Sequence, residues 1–311
     1  MTLNRDVIPT PITVSEMLRA ERIREIRELL AASREKGRRI GFVPTMGAMH
    51  AGHLSLVHAA RGMSDEVVVS VFVNPLQFGP SEDFEKYPRD LENDAAKAAA
   101  AGATILFAPS IEEIYPAASS TVVVPGPAAA RWEGEIRPGH FQGVLTVVAK
   151  LFNIVEPDVA LFGQKDWQQA TVVIAMVRDL HFPIEVTVLP TVRDADGLAM
   201  SSRNAYLAPS QRATALAIPR SLATILGAWQ MGEVRSAALI ELASEELRSG
   251  GIATSDYCTV VSPASLEPVP RASEGDVALI AARVGGTRLI DNVILTHQSH
   301  AELRASFPPV R

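Results

Sequence analysis

The fold is decided by residues 39–53, which read RIGFVPTMGAMHAGH. The first five residues are a short β-rich run, and the Pro-Thr-Met-Gly that follows is typical of a turn. Helical spacing of apolar residues then predicts a helix over residues 52–63. A strand, a glycine-bearing loop and a helix in this order are the opening of a parallel α/β sheet.

The same alternation of strands and helices continues on both sides of that stretch. The pattern predicts helices over residues 14–36, 81–101, 141–155 and 166–180, and strands over residues 66–72, 104–107, 158–162 and 184–189. The run at 66–72 is nearly continuous in β-branched residues, as in a strand buried on both faces. We therefore expect a doubly wound, Rossmann-like α/β domain over residues 1–191, with right-handed crossovers.

The pattern changes after residue 191. Residues 209–250 predict two helices hinged near Gly232, and strands are expected at 257–261, 277–282 and 288–295. Gly285 and Gly286 mark a hairpin between the last two strands. The expectation is a smaller α+β domain over residues 192–311, with an antiparallel sheet.

Composition excludes several functional classes. The 311 residues are 47% hydrophobic with a net charge of -6, so disorder is excluded as the main state, and the global positive field typical of nucleic-acid binding is absent. Apolar runs fall short of the ~20 residues that span a bilayer, and residues 1–12 lack the pattern of a signal peptide, so secretion is not expected. The single cysteine, Cys258, fits a reducing compartment and is expected to be an inert buried thiol. We predict a cytoplasmic protein that binds neither nucleic acid nor membrane.

The loop at residues 44–53 is the first candidate site. It follows a strand and begins a helix, where free backbone N–H groups and the helix dipole favour phosphate. His50 and His53 are three residues apart on one face and can both donate to phosphoryl oxygens, while Gly47 and Gly52 permit close backbone approach. A two-histidine metal site and ordinary capping or surface histidines remain alternatives, although a metal site with no nearby carboxylate or cysteine is poor.

Two further stretches place charge or hydroxyls at strand ends. In 162–169, Lys165 supplies a positive charge and Asp166 can cap the next helix, although such pairs are often solvated surface. In 197–204, two serines and Arg203 are donors suited to a triphosphate, and a serine-rich helix cap is the alternative. Loops 74–79 and 137–143 are also polar and glycine-bearing. Gln77 lies in the first of these loops. Like Gln169, it offers an uncharged amide that can form hydrogen bonds with a hydroxylated substrate.

Neither a Gly-x-x-x-x-Gly-Lys-Ser/Thr loop nor a Gly-x-Gly-x-x-Gly fingerprint opens the first helix, so a different nucleotide-binding class is required. The His-x-Gly-His turn at 50–53 with the Met-Ser-Ser-Arg loop at 200–203 resembles the nucleotidyltransferase superfamily. Within it, the chain resembles the pantoate–β-alanine ligase family from residue 44 to 295. Six stretches fit the family pattern: 44–53, 72–79, 140–150, 162–169, 190–207 and 286–295. One departure is Trp167, where tyrosine is expected.

The resemblance implies an ATP-dependent ligase that joins pantoate to β-alanine through a pantoyl adenylate, releasing pyrophosphate and AMP, with Mg²⁺ on the ATP. It implies a homodimer formed through the first domain, with the smaller domain closing over the active site. The catalytic residues it implies are His50, His53, Lys165 and Arg203, with His53 the proton donor, and the pantoate-binding residues are Gln77, which also contacts β-alanine, and Gln169. The ATP-binding residues it implies are Met46, Gly47, Ala48, Met49, His50, Ala51, Gly52, His53, Gly163, Gln164, Lys165, Asp166, Val192, Met200, Ser201, Ser202 and Arg203.

Two other functions remain open from the sequence. A cofactor adenylyltransferase shares the His-x-Gly-His turn but keeps the nucleotide on its product. The paired glutamines and the second domain argue against it. A catalytically silent nucleotide-binding or scaffold protein is the other alternative, and the intact His50, His53, Lys165 and Arg203 argue against that one.

Overall fold

The computed structural model describes residues 13–80 and 82–297 of the chain. These residues divide into two compact units. The first takes in the described residues up to Gly126, with Glu133–Gly163 and Val172–Leu189. The second takes in Pro127–Trp132, Gln164–Thr171 and the described residues from Pro190 onward.

A six-stranded parallel sheet forms the centre of the first unit. Its strand order is β1-β4-β3-β2-β5-β6. The strands are β1 (Leu18–Ala20), β2 (Ile40–Thr45), β3 (Glu66–Val71), β4 (Ile105–Phe107), β5 (Val159–Gly163) and β6 (Glu185–Leu189). The central strands are buried on both faces, which is why their sequences are nearly continuous apolar runs. This confirms the predicted doubly wound sheet.

Helices connect these strands. They are α1 (Ile23–Arg34), α2 (Ala51–Met63), α3 (Leu91–Ala100), α4 (Ile111–Ile114), α5 (Glu133–Ile136), α6 (His140–Val155) and α7 (Trp167–Asp179). The carboxyl ends of parallel strands share one sheet edge, so the loops after β2 and β3 emerge side by side there. The register Thr45↔Val71 fixes this neighbourhood.

The second unit is built on a three-stranded antiparallel sheet, β7 (Ser255–Val261), β8 (Val277–Val284) and β9 (Thr287–Ile294). Helices α8 (Pro209–Ala215), α9 (Ala217–Gln230) and α10 (Ser236–Ser249) pack on one face through an apolar cluster that includes Ile280 and Val293. The other face carries a smaller cluster around Leu279, with Trp132 and Trp167 against it. The α+β prediction for this part of the chain is confirmed.

Three predicted elements are corrected by the structure. The helix expected over 14–36 is strand β1 followed by α1, because the Leu18–Ala20 backbone pairs with β4 instead. The helix expected over 81–101 begins only at Leu91, where Asp90 accepts a hydrogen bond from Asn93 N; residue 81 lies outside the described residues. The two helices expected over 209–250 are three, because α8 ends before Leu216.

Two smaller features complete the description. Burial raises the pKa of the Cys258 thiol to about 12, because the thiolate would lose its hydration. None of the helices within the described residues has the length and apolarity needed to cross a bilayer.

Candidate active site

Residues 46–53, here called the histidine turn, comprise the loop after β2, which contains a left-handed backbone bend, and the first three residues of α2. Gly47 and Ala48 have φ angles of 81° and 51°. A Cβ added at Gly47 would lie 2.7 Å from a carboxylate oxygen of Asp94, so the site admits only glycine. The Thr45 hydroxyl, which accepts from Gly47 N at 3.1 Å, fixes the start of the bend.

Asp94 on α3 holds the histidine turn in place. Its carboxylate accepts hydrogen bonds from the backbone N–H groups of Ala48 (2.9 Å) and Met49 (2.7 Å), and Asp94 is only 1% exposed. Lys97 Nζ donates to Met49 O at 2.9 Å. Two of the backbone donors expected to bind phosphate are therefore bound by a carboxylate instead.

The rings of His50 and His53 lie together, with centroids 4.1 Å apart. His50 Nδ1 accepts from Gly52 N at 3.2 Å, and His53 Nδ1 accepts from His50 N at 3.4 Å. Because Nδ1 is an acceptor in both rings, the neutral rings carry their proton on Nε2. The turn thus orients two imidazole Nε2–H donors from one helix start.

Gln77 lies beside the histidine turn, at the end of a 3₁₀ turn (Pro75–Gln77) that follows β3. Its side chain is 8% exposed, and its Nε2 donates to Met46 Sδ at 2.9 Å. Its Oε1 accepts from the buried Asn74 at 3.1 Å. The structure therefore brings together Gln77 and the histidine turn, two of the predicted site elements in the first unit.

Helix α6 supports the Gln77 turn. A Cβ added at Gly143 would lie 2.2 Å from Leu76 O, so the helix backbone approaches the turn too closely for any side chain. His140 Nδ1–H donates to Gln77 O at 2.8 Å. Burial, and then the charge of Arg137, lower the pKa of His140 to about 4, so the ring is neutral at pH 7.

Arg137 completes this support. It donates to both carboxylate oxygens of Glu82, at 2.6 and 2.8 Å, and to His140 Nε2 at 3.0 Å. Burial alone would raise the pKa of Glu82, but the hydrogen bonds and charge of Arg137 outweigh it, and the pKa is lowered. Loop 137–143 stands out in the sequence as polar and glycine-bearing, but no role was predicted for it.

In the second unit, residues Gln164–Asp166 form a 3₁₀ turn, here called the lysine turn, between β5 and α7. Lys165 Nζ lies 3.7 Å from Asp166 Oδ1, and the Lys165 side chain is 19% exposed. The preceding predicted residue, Gly163, is the last residue of β5 in the first unit. Gln169, half-buried, follows in the first turns of α7.

Residues 192–203 of the second unit, here called the serine loop, contain the remaining predicted ATP contacts. Met200 N donates to Val192 O at 3.0 Å, which closes the loop. Ser201 Oγ accepts from Arg203 N at 3.3 Å and caps a 3₁₀ helix (Ser202–Tyr206). The capping alternative from the sequence therefore holds for Ser201, whose cap directs the backbone of Arg203.

The two-histidine metal site left open by the sequence gains no further ligands among residues 13–80 and 82–297. Within the part of the chain that the structure describes, no group of three His, Cys, Asp or Glu side chains is arranged to hold a metal ion. The histidine turn contributes two imidazoles, and Asp94 is engaged with backbone amides.

Several supporting residues were not found from the sequence: Asp94, Asn74, and, in the second unit, Asp291 and Asn292 beside the serine loop and the lysine turn. Asp94 had one available signal, since it is a charged residue at a buried position of an alanine-rich helix. Asn74 lies in the polar loop 74–79 and caps the turn that follows it, which is a local signal. The contacts of Asp291 and Asn292 join distant parts of the chain, where the sequence offers no local pattern.

Comparisons with known proteins agree on one family. The model of the family Pantoate-beta-alanine ligase matches residues 19–294. A pantothenate synthetase from Moorella thermoacetica is 51% identical, covering 88% of this chain and 96% of that protein. The crystal structure of pantothenate synthetase from Thermus thermophilus superposes with a TM-score of 0.85 at 48% identity, covering 90% of this chain and 99% of that one. A pantoate-beta-alanine ligase from Francisella tularensis, complexed with beta-gamma ATP and beta-alanine, gives a TM-score of 0.74 at 33% identity, covering 90% and 98%.

Proposed function

The chain belongs to the pantoate–β-alanine ligase family, and on that premise we propose that it condenses pantoate with β-alanine at the expense of ATP, in two steps. In the first, a pantoate carboxylate oxygen attacks the α-phosphorus of ATP, and the bond to pyrophosphate breaks. In the second, the β-alanine amine attacks the acyl carbon of the pantoyl adenylate, loses a proton and expels AMP. The products are pantothenate, AMP and pyrophosphate.

The first step is opposed by charge, because a carboxylate approaches a polyanion. The chain needs no nucleophile of its own for this chemistry, only donors that neutralise charge as it grows. The paired imidazole Nε2–H groups of His50 and His53 suit that role in the first unit. We assign His53 as proton donor, a role that requires its imidazolium form, and His50 as phosphate ligand.

The second unit supplies fixed positive charge. Lys165 provides an ammonium and Arg203 a guanidinium, with the hydroxyls of Ser201 and Ser202 as neutral donors. The ATP-binding residues that we propose in the first unit are 46–53 and Gly163. Those that we propose in the second unit are Gln164–Asp166, Val192 and 200–203.

Mg²⁺ is proposed as the partner of ATP. Mg²⁺ prefers oxygen ligands, and the phosphates of ATP supply them. The described residues contain no cluster of carboxylates that could hold the ion by themselves. The proposed site offers imidazole and ammonium donors to the phosphates instead. Bound there, the ion would neutralise phosphate charge.

Pantoate recognition is assigned to Gln77 and Gln169. Pantoate has two hydroxyls and a gem-dimethyl group, so its pocket needs neutral amide partners and apolar walls, to which Met46, Phe72 and Phe78 can contribute. The function depends most on one observation, the contact of Gln77 Nε2 with Met46 Sδ. Gln77 is assigned to pantoate and Met46 to ATP, so this contact supports the binding of the two substrates next to each other.

The second step needs a neutral amine close to the acyl carbon. Proximity alone supplies much of the barrier reduction in such a transfer. Gln77 is proposed to contact β-alanine as well as pantoate. A homodimer formed through the first domain, predicted as residues 1–191, and a location in the cytoplasm remain predictions.

The proposed function is tested by measuring AMP formation with ATP, pantoate and β-alanine, each omitted in turn. AMP that requires all three substrates is the expected result. Pantoate-dependent exchange of labelled pyrophosphate into ATP without β-alanine tests the adenylate. Nucleotide retained on the product would instead indicate an adenylyltransferase, and no turnover with any combination would indicate a silent nucleotide-binding protein.

A further inference from the structure

Strand β9 of the second unit has two consecutive polar residues that are almost fully buried. Asp291 is 3% exposed and Asn292 is 2% exposed. Adjacent residues of a strand point to opposite faces of the sheet. Asp291 pairs with Ile280, on the face covered by helices, and Asn292 pairs with Leu279, on the face covered by the Trp132 and Trp167 cluster.

Asn292 binds the lysine turn with its whole amide group. Its Nδ2 donates to the backbone carbonyls of Gln164 (2.8 Å) and Lys165 (2.9 Å). Its Oδ1 accepts from Gln164 Nε2 at 3.1 Å. The position of the Lys165 backbone, from which the ammonium extends, is therefore set by a side chain that is 127 residues away in sequence.

Asp291 binds the beginning of the serine loop. Its two carboxylate oxygens accept from the guanidinium of Arg193 at 2.6 and 3.1 Å, and both side chains are buried. Arg193 also donates to Gly197 O at 3.2 Å, across the loop that Val192 and Met200 close. A bidentate, buried pair of this kind has one geometry, so it fixes the loop that leads to Arg203.

We propose that Asp291 and Asn292 are positioning residues for ATP, which together set the lysine turn and the serine loop at a fixed separation within the second unit. The inference rests on the proposed function for the identity of the ligand. Because the two residues are joined by one peptide bond in a paired strand, a shift of either loop is opposed by both sets of contacts. Neither residue needs to touch the nucleotide.

The test compares Asn292→Asp with Asn153→Asp. The first change keeps the shape of the side chain but replaces the amide donor by a carboxylate, which would then face the carbonyl oxygens of Gln164 and Lys165. The second makes the same change at an exposed asparagine of α6 that also donates to a carbonyl, Ala149 O. ATP affinity is measured by calorimetry, and KM for ATP and for pantoate by pyrophosphate exchange.

Asn292→Asp is expected to weaken ATP binding and raise KM for ATP by about 10- to 100-fold, as for other residues that orient a binding group. KM for pantoate should stay within about twofold, and Asn153→Asp should match the unmodified chain. Unchanged ATP affinity in folded Asn292→Asp would overturn the inference. So would an equal rise in both KM values, which would mean general distortion.

A second variant covers the case in which Asn292→Asp does not fold. Replacing the ion pair by Arg193→Met together with Asp291→Leu removes both buried charges at once, which cores often tolerate. The same selective loss of ATP affinity is expected, and normal ATP affinity in this folded double variant would refute the role of Asp291. If the unmodified chain binds ATP but catalyses no pantoate-dependent pyrophosphate exchange, the proposed function is refuted. The ATP affinities of the variants would still decide the present inference.

Discussion

The histidine turn and the lysine turn are supported by side chains of opposite character. The histidine turn presents backbone N–H groups, which are bound by the carboxylate of Asp94, whereas the lysine turn presents carbonyls, which are bound by the neutral amide of Asn292. The first support places a negative charge next to a proposed phosphate site, and the second places none. At the lysine turn the nearby carboxylate instead belongs to the turn itself, since Asp166 Oδ1 lies 3.7 Å from Lys165 Nζ.

The strongest test of this comparison removes one donor from each turn. His53→Ala and Lys165→Ala should each lower kcat/KM by roughly 10²- to 10³-fold, the scale of losing one preorganised donor to a transition state. Steady-state kinetics with all three substrates provide the measurement, and His58→Ala, an exposed histidine of the same helix α2, is the matched control. Near-normal turnover in both site variants would remove the assignment of these two residues.

The support of Gln77 by His140 should depend on pH. His140 has a pKa of about 4 in the folded chain and about 6.5 unfolded, so between these values only the unfolded state binds the proton. Stability is therefore full above pH 6.5 and decreases as the pH falls to 4, by about 3 kcal/mol from this ring alone.

Urea unfolding at pH 7 and at pH 4.5 measures this effect. The unmodified chain should lose more stability on acidification than His140→Gln does, because other titrating groups are common to both. His58→Gln is the control and should behave like the unmodified chain. Equal acid sensitivity in all three proteins would contradict the buried, neutral state of His140.

Replacing the carboxylate under the histidine turn tests its structural role directly. Asp94→Asn keeps the shape but loses a charged acceptor, and such hydrogen bonds contribute about 1.5–3 kcal/mol, which corresponds to a loss of roughly tenfold to hundredfold in kcat/KM. The effect should appear in KM for ATP. Glu92→Gln, the same change at an exposed position of α3, should leave the kinetics unchanged. Identical kinetics in the two variants would show that the turn holds its shape without Asp94.

The smallest expected effect separates the two glutamines. Gln169→Leu should weaken pantoate binding by about 1–3 kcal/mol, the cost of an unpaired polar group, and leave ATP binding largely intact. Gln77→Leu should weaken ATP binding as well as pantoate binding, because the variant loses the contact with Met46. Calorimetric titration with ATP and with pantoate distinguishes them. A Gln169→Leu protein that loses ATP affinity and binds pantoate normally would reverse the assignment.

Local patterns were enough to predict most of the fold. The helix expected from residue 52 begins at Ala51, and the strand expected over 158–162 is Val159–Gly163, because apolar periodicity and glycine or proline boundaries act within a few residues. The segment at Leu18–Ala20 was wrongly assigned to a helix since its strand pairing partner is Ile105–Phe107, far along the chain. Propensity cannot indicate such a pairing.

The site was predictable in part for the same reason. His50, His53 and Lys165 were identified as site candidates because they lie in short motifs. The roles given to them remain proposals. Asp94 and Asn292 reach their turns from about 45 and 127 residues away, so only the folded chain reveals them. The tautomer of the two histidines also depends on backbone donors that a sequence does not locate.

The close approach of α6 to the Gln77 turn has a consequence for how this gene can vary. At Gly143 a methyl group would collide with the backbone of Leu76, and backbone cannot rotate away as a side chain can. Gly62, also within a helix, has nothing within 4 Å of the added atom. In a library of all single substitutions, Gly62→Ala should be enriched as a mild stabiliser, by about 1 kcal/mol, while every substitution at Gly143 should disappear under selection for growth without added pantothenate.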